Sequence, residues 1–158
     1  MLTRMSALVD DVASLQNKLI LLVGPPGCGK TALLDAYAEH RGVERRPLGS
    51  ALGRRLAALP RTQRHLLAGS LLREIAETTR ATASPLLVDN IELLFDASLK
   101  LNPLALLKRL AQARVIVAVW PGELRHTERG PRLTYAEPGH PEYRDDALDG
   151  VVTLDLQD

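Results

Sequence analysis

Eight residues, Gly24-Pro25-Pro26-Gly27-Cys28-Gly29-Lys30-Thr31, match G-x-x-x-x-G-K-[ST], a spacing whose chemistry is the holding of a triphosphate. A triphosphate needs several donors converging on its oxygens and a backbone that approaches without a side chain in the way. Gly24, Gly27 and Gly29 meet the second need, and they leave successive N–H groups turned inward as an anion nest at a helix N-terminus. Lys30 is then expected to reach the β- and γ-phosphates as a point charge. The Thr31 hydroxyl is placed to ligate a Mg2+ ion that bridges them, and Ala32 completes the expected ATP-binding set. Cys28 is the one cysteine of the chain, so it forms no internal disulfide and reads as a small loop residue.

A phosphate loop does not say what happens to the phosphates, and a second group of residues bears on that. In Leu86-Leu87-Val88-Asp89 three apolar residues end in a carboxylate, the pattern of a buried strand presenting an acid at its C-terminal edge, where ligands bind in open α/β sheets. Asp89 is therefore expected to hold Mg2+ together with Thr31. The group that activates water stays open: Asn90 can orient a water but cannot take its proton, and Glu92, two residues on, is the nearest carboxylate. Arg125, Arg129 and Arg132 are candidates to stabilise charge on the transferring phosphoryl group from a neighbouring subunit. Arg132 is favoured because it directly precedes an expected strand. Lys30, Asp89, Glu92 and Arg132 form the expected catalytic set. Trp120-Pro121-Gly122 offers no polar sensor at a strand end, and with Asn90 this predicts slow hydrolysis.

These residues require a strand before the loop, a helix after it, and a second strand ending at Asp89. The apolar run Leu19–Val23 and the pattern Leu33, Leu34, Tyr37, stopping near His40 and Gly42, supply the first two. An opening helix carries Leu8, Val12 and Leu15 and stops at Asn17. Val43–Pro47 is a short candidate strand. A helix from Ser50 buries Leu52, Leu56 and Leu59 and closes at Pro60. The next, from Thr62 to Arg80, buries Leu67, Leu71 and Ile75, with Ser84-Pro85 as the break. Asn102-Pro103 is an N-cap with proline at the first helical position, ahead of Leu104, Leu107 and Leu110. Val115–Trp120 is a continuous apolar run, expected as a central strand covered on both faces. From Pro121 onward, where four of the ten prolines fall, only Leu133–Ala136 and Val151–Leu156 read as strands.

A chain of 158 residues with 46% apolar content can bury one core, and its scarce aromatics make base stacking a poor way to hold nucleic acid. No apolar stretch reaches the length of a membrane span and no signal-peptide pattern opens the chain, so a cytoplasmic location is expected. The net charge is +1, but seven arginines against the single acid Glu44 lie between Arg41 and Arg64, and six acids against Arg144 lie from Glu142 to Asp158. The basic segment is a candidate DNA contact through Arg41, Arg45, Arg46, Arg54 and Arg55, and opposed patches can also dock copies head to tail. His126 and His140 have no partners at metal-ligand spacing.

The loop together with Val88-Asp89-Asn90-Ile91-Glu92-Leu93-Leu94-Phe95-Asp96 resembles the ATPase core of the AAA+ superfamily, near its replication-initiator clade. The segment Tyr135-Ala136-Glu137-Pro138-Gly139-His140-Pro141-Glu142-Tyr143 narrows the likeness, since it resembles the BrxF family of small P-loop proteins from bacterial BREX phage-defence systems. The resemblance implies an α/β fold of the additional-strand P-loop NTPase type, a mostly parallel sheet flanked by helices without a C-terminal helical lid. It divides the chain into an N-terminal helix (1–17), the ATPase core (18–144) and an acidic C-terminal strand or tail (145–158). It also implies ATP and Mg2+ as cofactors and an antiviral defence role beside a methyltransferase and larger ATPase subunits. Without a lid, a neighbouring subunit is expected to close the site, giving a homo-oligomer with nucleotide at the interface. Three functions remain in contention. The first is a slow ATPase. The second is a non-hydrolysing, nucleotide-dependent assembly module that could contact DNA. The third is a small-molecule kinase, whose arginine-bearing lid would sit awkwardly ahead of Asp89.

Overall fold

The computed structural model describes residues 1–77 and 85–157. Its elements run α1 (Leu2–Val12), β1 (Leu19–Val23), α2 (Lys30–Arg41), β2 (Arg45–Pro47), α3 (Leu48–Ala57), α4 (Arg61–Glu77) and β3 (Leu86–Asp89). Two 3-10 turns (Glu92–Phe95 and Ala97–Leu99), α5 (Pro103–Leu110), β4 (Ile116–Val119), β5 (Glu123–Thr127), β6 (Gly130–Tyr135), β7 (Arg144–Ala147) and β8 (Val152–Asp155) follow. The expected end of α4 at Arg80 and the break at Ser84 lie outside the described residues.

Five strands form one parallel sheet in the order β2-β3-β4-β1-β8. The apolar run ending at Trp120 thus becomes the strand inserted between β1 and β3, as the additional-strand fold requires. Ile116 of β4 is level with Leu19 of β1 on one side and with Leu86 of β3 on the other. Their C-terminal ends therefore emerge at one edge. Side chains alternate between two cores, as strand geometry dictates. Leu19, Leu21, Val88, Ile116 and Ala118 pack against α3, α4 and α5, whereas Ile20, Leu22, Leu87 and Val117 pack against α1 and α2.

Helix phase departs from expectation in two places. Helix α1 buries Met5, Val9 and Val12, with Leu8 only partly packed and Leu15 exposed beyond the helix end. The spacing is the expected one, but the helix starts at Leu2 and its phase is set by the earlier residues. Helix α4 buries Ala68, Leu72, Ile75 and Ala76 and leaves Leu67 exposed. Ala68 and Ala76 contribute little to an apolar pattern, yet their size suits a face packed closely against its neighbours. Helix α3 starts at Leu48, two residues ahead of Ser50, because Leu48 is fully buried beside Leu52.

The largest departure follows Pro121. Two further strands, β5 and β7, join β6 in an antiparallel sheet β5-β6-β7. Their sequences, Glu-Leu-Arg-His-Thr and Arg-Asp-Asp-Ala, are too polar to show an apolar alternation. One face of this small sheet is fastened by aromatic rings. Phe95 stacks on Tyr135 at 3.9 Å between centroids and meets Trp120 edge-on at 5.3 Å. The buried Trp120 indole donates to the Thr134 carbonyl at 3.1 Å. Burial, reinforced by the negative charges of Glu142 and Glu92, raises the Tyr135 pKa above its ordinary value.

Asn90 leaves β3 in the left-handed region, φ 57°, and its carbonyl accepts from the Gly49 N–H at 2.8 Å. A Cβ on Gly49 would lie 2.0 Å from that oxygen, so only glycine allows α3 to start against the end of β3.

Replacing Phe95 with alanine is expected to cost about 3–5 kcal/mol of stability, read from urea unfolding, because it empties the seam between the two sheets. Gly49→Ala is expected to cost at least about 2 kcal/mol in the same measurement, through a backbone clash that no rotamer change relieves.

Candidate nucleotide site

Strand β1 delivers the chain into the loop at Val23. Gly24, Gly27 and Gly29 have φ of 148°, 79° and 99°, values that side-chain-bearing residues resist. The Cys28 N–H donates to the Pro25 carbonyl at 3.2 Å and closes the turn, and the Gly29 carbonyl takes the first bond of α2 from Leu33 at 2.9 Å. Cys28 is a free thiol, half-buried inside the loop. The Lys30 ammonium donates to the Gly24 carbonyl at 2.7 Å and to the Trp120 carbonyl at 3.3 Å. It is thereby drawn across the loop toward the end of β4. Both acceptors are neutral, and a charged phosphate oxygen is the stronger partner for an ammonium. Beside the loop lies a cavity of about 250 Å³ lined by Gly24, Pro25, Pro26, Leu124, Asp155 and Gln157.

Asp89 ends β3 at the same edge and is 9% exposed. Its Oδ2 is ion-paired with Arg45, while Oδ1 is buried and has no hydrogen-bond partner among the described residues. An unpartnered buried carboxylate oxygen suits a hard divalent cation or one of its waters, so the donor set fits Mg2+. Among the described residues no group of three or more His, Cys, Asp or Glu side chains could hold a metal unaided. A cation here would depend on Asp89, the exposed Thr31 hydroxyl and the phosphates themselves. His140 is occupied otherwise, its Nδ1 accepting from the Glu142 N–H at 3.0 Å.

The Asn90 carboxamide is held on both sides. Its Oδ1 accepts from the Ser50 hydroxyl at 2.8 Å, and its amide reaches the Glu92 carboxylate at 3.4 Å. Glu92 is exposed and opens the first 3-10 turn. The chain therefore places Glu92 next to Asn90, at the end of β3.

Arginine positions differ from the sequence reading. Arg132 lies within β6, three residues into structure that starts at Gly130, and its guanidinium donates to the Asp145 carboxylate at 2.8 Å and to the Asp145 carbonyl at 3.2 Å. Arg125 pairs with Glu123 at 3.1 Å, and Arg129 sits in the β5–β6 turn. Of the five arginines considered for DNA, Arg41 pairs with Asp10 at 3.9 Å, Arg55 with Glu74 at 3.2 Å, and Arg45 with Asp35 at 2.9 Å as well as with Asp89. Arg46 is half-buried and Arg54 is exposed. Neither Arg45 nor Asp35 is marked in the sequence as part of the site. The alignment of β2 beside β3 brings Arg45 to it, and Arg45 in turn engages Asp35 of α2.

The family model of the ATPase family associated with various cellular activities (AAA) matches residues 20–104, which include the loop and Asp89. No curated protein matches the chain. Among solved structures, that of PCH-2 from C. elegans is similar, with a TM-score of 0.43 and 20% identity over 75% of this chain. The chain spans 36% of the length of that protein. Among the described residues no helix is long and apolar enough to cross a membrane. The family match covers more than half of the chain and runs from β1 through the phosphate loop and Asp89 into α5, so the chain belongs to the AAA family of ATPases.

Proposed function

We propose that this chain is a slow ATPase, converting ATP and water to ADP and phosphate, and that it acts as a nucleotide-controlled oligomeric subunit of a cytoplasmic anti-phage defence system. The observation that carries the enzymatic part is Asp89, buried at the edge where β1 delivers the loop, with Oδ1 unpartnered among the described residues. The defence role rests on the likeness of Tyr135–Tyr143 to the BrxF family alone.

In this reading the Lys30 ammonium exchanges the Gly24 and Trp120 carbonyls for the β- and γ-phosphates, and the loop N–H groups hold the rest of the triphosphate. Thr31 and Asp89 would hold Mg2+, which would supply positive charge against the negative charge of the phosphates. Asn90 orients the attacking water, and Glu92 takes its proton as the bond to the γ-phosphorus forms and the bond to the β–γ bridging oxygen breaks. Arg132 of a neighbouring copy, released from Asp145, stabilises the transferring group. Turnover is slow because the residue directly after Asp89 is an amide, and Trp120 spends its indole on Thr134. A second reading, an assembly module in which ATP sets stoichiometry without chemistry, is favoured by the double tether of Asn90. Contact with DNA belongs to either reading, and would be seen as duplex binding that weakens steeply with salt.

Steady-state phosphate release separates the readings. Lys30→Ala is expected to weaken ATP binding about 10- to 100-fold through loss of a charge-assisted contact, and to abolish turnover. Equal release by wild type and variant would remove the enzymatic claim. A mass change driven by ATP without turnover would establish the assembly module instead.

A further inference from the structure

The residue that the structure ties most closely to Asp89 is Arg45. In the β2–β3 register Pro47 is level with Asp89 and Arg45 with Leu87, so the Arg45 guanidinium extends toward the C-terminal edge to reach the carboxylate. It also bonds Asp35 at 2.9 Å, five residues after Lys30 on the helix that carries the loop. One guanidinium thus joins the β3 carboxylate to the helix that follows the loop. Its side chain is 35% exposed, against 12% for Asp89 and 55% for Asp35, so the Asp89 end of the bridge is the enclosed one.

A carboxylate that enclosed requires a compensating charge, and a planar guanidinium with five donors compensates it while fixing its orientation. Arg45 occupies Oδ2 only. Oδ1 is left as the oxygen with no hydrogen-bond partner among the described residues. Arg45 therefore does not need to leave for a cation to bind, which distinguishes it from a competitor. Two carboxylates on one guanidinium also leave the cluster with no net positive charge for an external phosphate backbone, so the bridge argues against Arg45 as a DNA contact.

We infer that Arg45, anchored by Asp35, is a positioning residue that holds the Asp89 carboxylate with Oδ1 offered to the cation of a bound Mg·ATP. The inference rests on the nucleotide-site reading above. It assigns to β2 and to α2 a share in metal binding that the loop and β3 alone would otherwise carry. Outer partners of a metal ligand typically affect affinity about 10- to 100-fold when removed, because they set the ligand's orientation and basicity.

The test is binding of a fluorescent ATP analogue, followed in EDTA and then along a Mg2+ titration. Arg45→Met is expected to leave metal-free binding within about twofold of wild type while raising the half-saturating Mg2+ concentration about tenfold. Arg45→Lys, which can engage one carboxylate but not both in the same geometry, should recover part of that shift. Asp35→Asn should show a smaller shift in the same direction, about threefold. An unchanged Mg2+ requirement in Arg45→Met would overturn the inference. So would a lowered requirement, which would make Arg45 a competitor, or a parallel loss of metal-free and metal-dependent binding, which would make it structural. Should Arg45→Met fail to fold by circular dichroism, Arg45→Lys and Asp35→Asn decide the matter by the same criteria. Wild-type protein that binds no analogue under any condition would overturn the nucleotide site and this inference with it, a result distinct from the others.

Discussion

Everything at the candidate site depends on one alignment: Leu19, Ile116 and Leu86 share a level in the parallel sheet, so β1, β4 and β3 end together. The loop, the Trp120 carbonyl and Asp89 are separated widely in sequence but leave the sheet at one edge. Such an edge is where a parallel α/β sheet presents ligand-binding groups, since the crossover helices cover the faces and leave the strand ends open. Lys30 exploits this by donating to both Gly24 and Trp120, bridging two strand ends in one contact. The packing that enforces the alignment comes from the two cores, each taking alternate side chains of the same strands.

The aromatic cluster extends this arrangement to the small antiparallel sheet. Phe95 lies just beyond β3, Trp120 just beyond β4, and Tyr135 at the end of β6, so the rings join the exits of two central strands to the added sheet. With so few aromatics in the chain, three of them in one contact concentrate much of the large-side-chain burial at a single seam. That seam lies alongside the segment bearing Asn90 and Glu92, and rigidity there supports the local order of the β3 exit.

The parts legible in the sequence are those with local causes. The loop is read from glycine and lysine spacing, Asp89 from three apolar residues before it, and the start of α5 from Asn102, whose side chain caps Ala105 at 3.1 Å. Gly42 ends α2 as its position suggests, because it supplies the left-handed cap that stops a helix. What escapes has nonlocal causes. Strands β5 and β7 owe their existence to ladder bonds with β6 rather than to an apolar period, and α4 turns on alanines that hydrophobic pattern undervalues. The Arg45 bridge is invisible for the same reason. A basic segment read in isolation suggests a surface for polyanions, but folding supplies acids from α1, α2, β3 and α4 to several of those arginines.

The outermost strands carry a consequence for how copies of the chain can meet. One margin of the main sheet is β2, three residues long, rich in arginine and ending in Pro47, which has no N–H to donate. The other is β8, four residues long, preceded by Asp149 and ending in Asp155. Short length, like charge and proline are the features that discourage a foreign strand from adding itself to an open margin. Growth by sheet continuation is thus blunted at both ends, and association between molecules is left to the helices, the loops and the small antiparallel sheet.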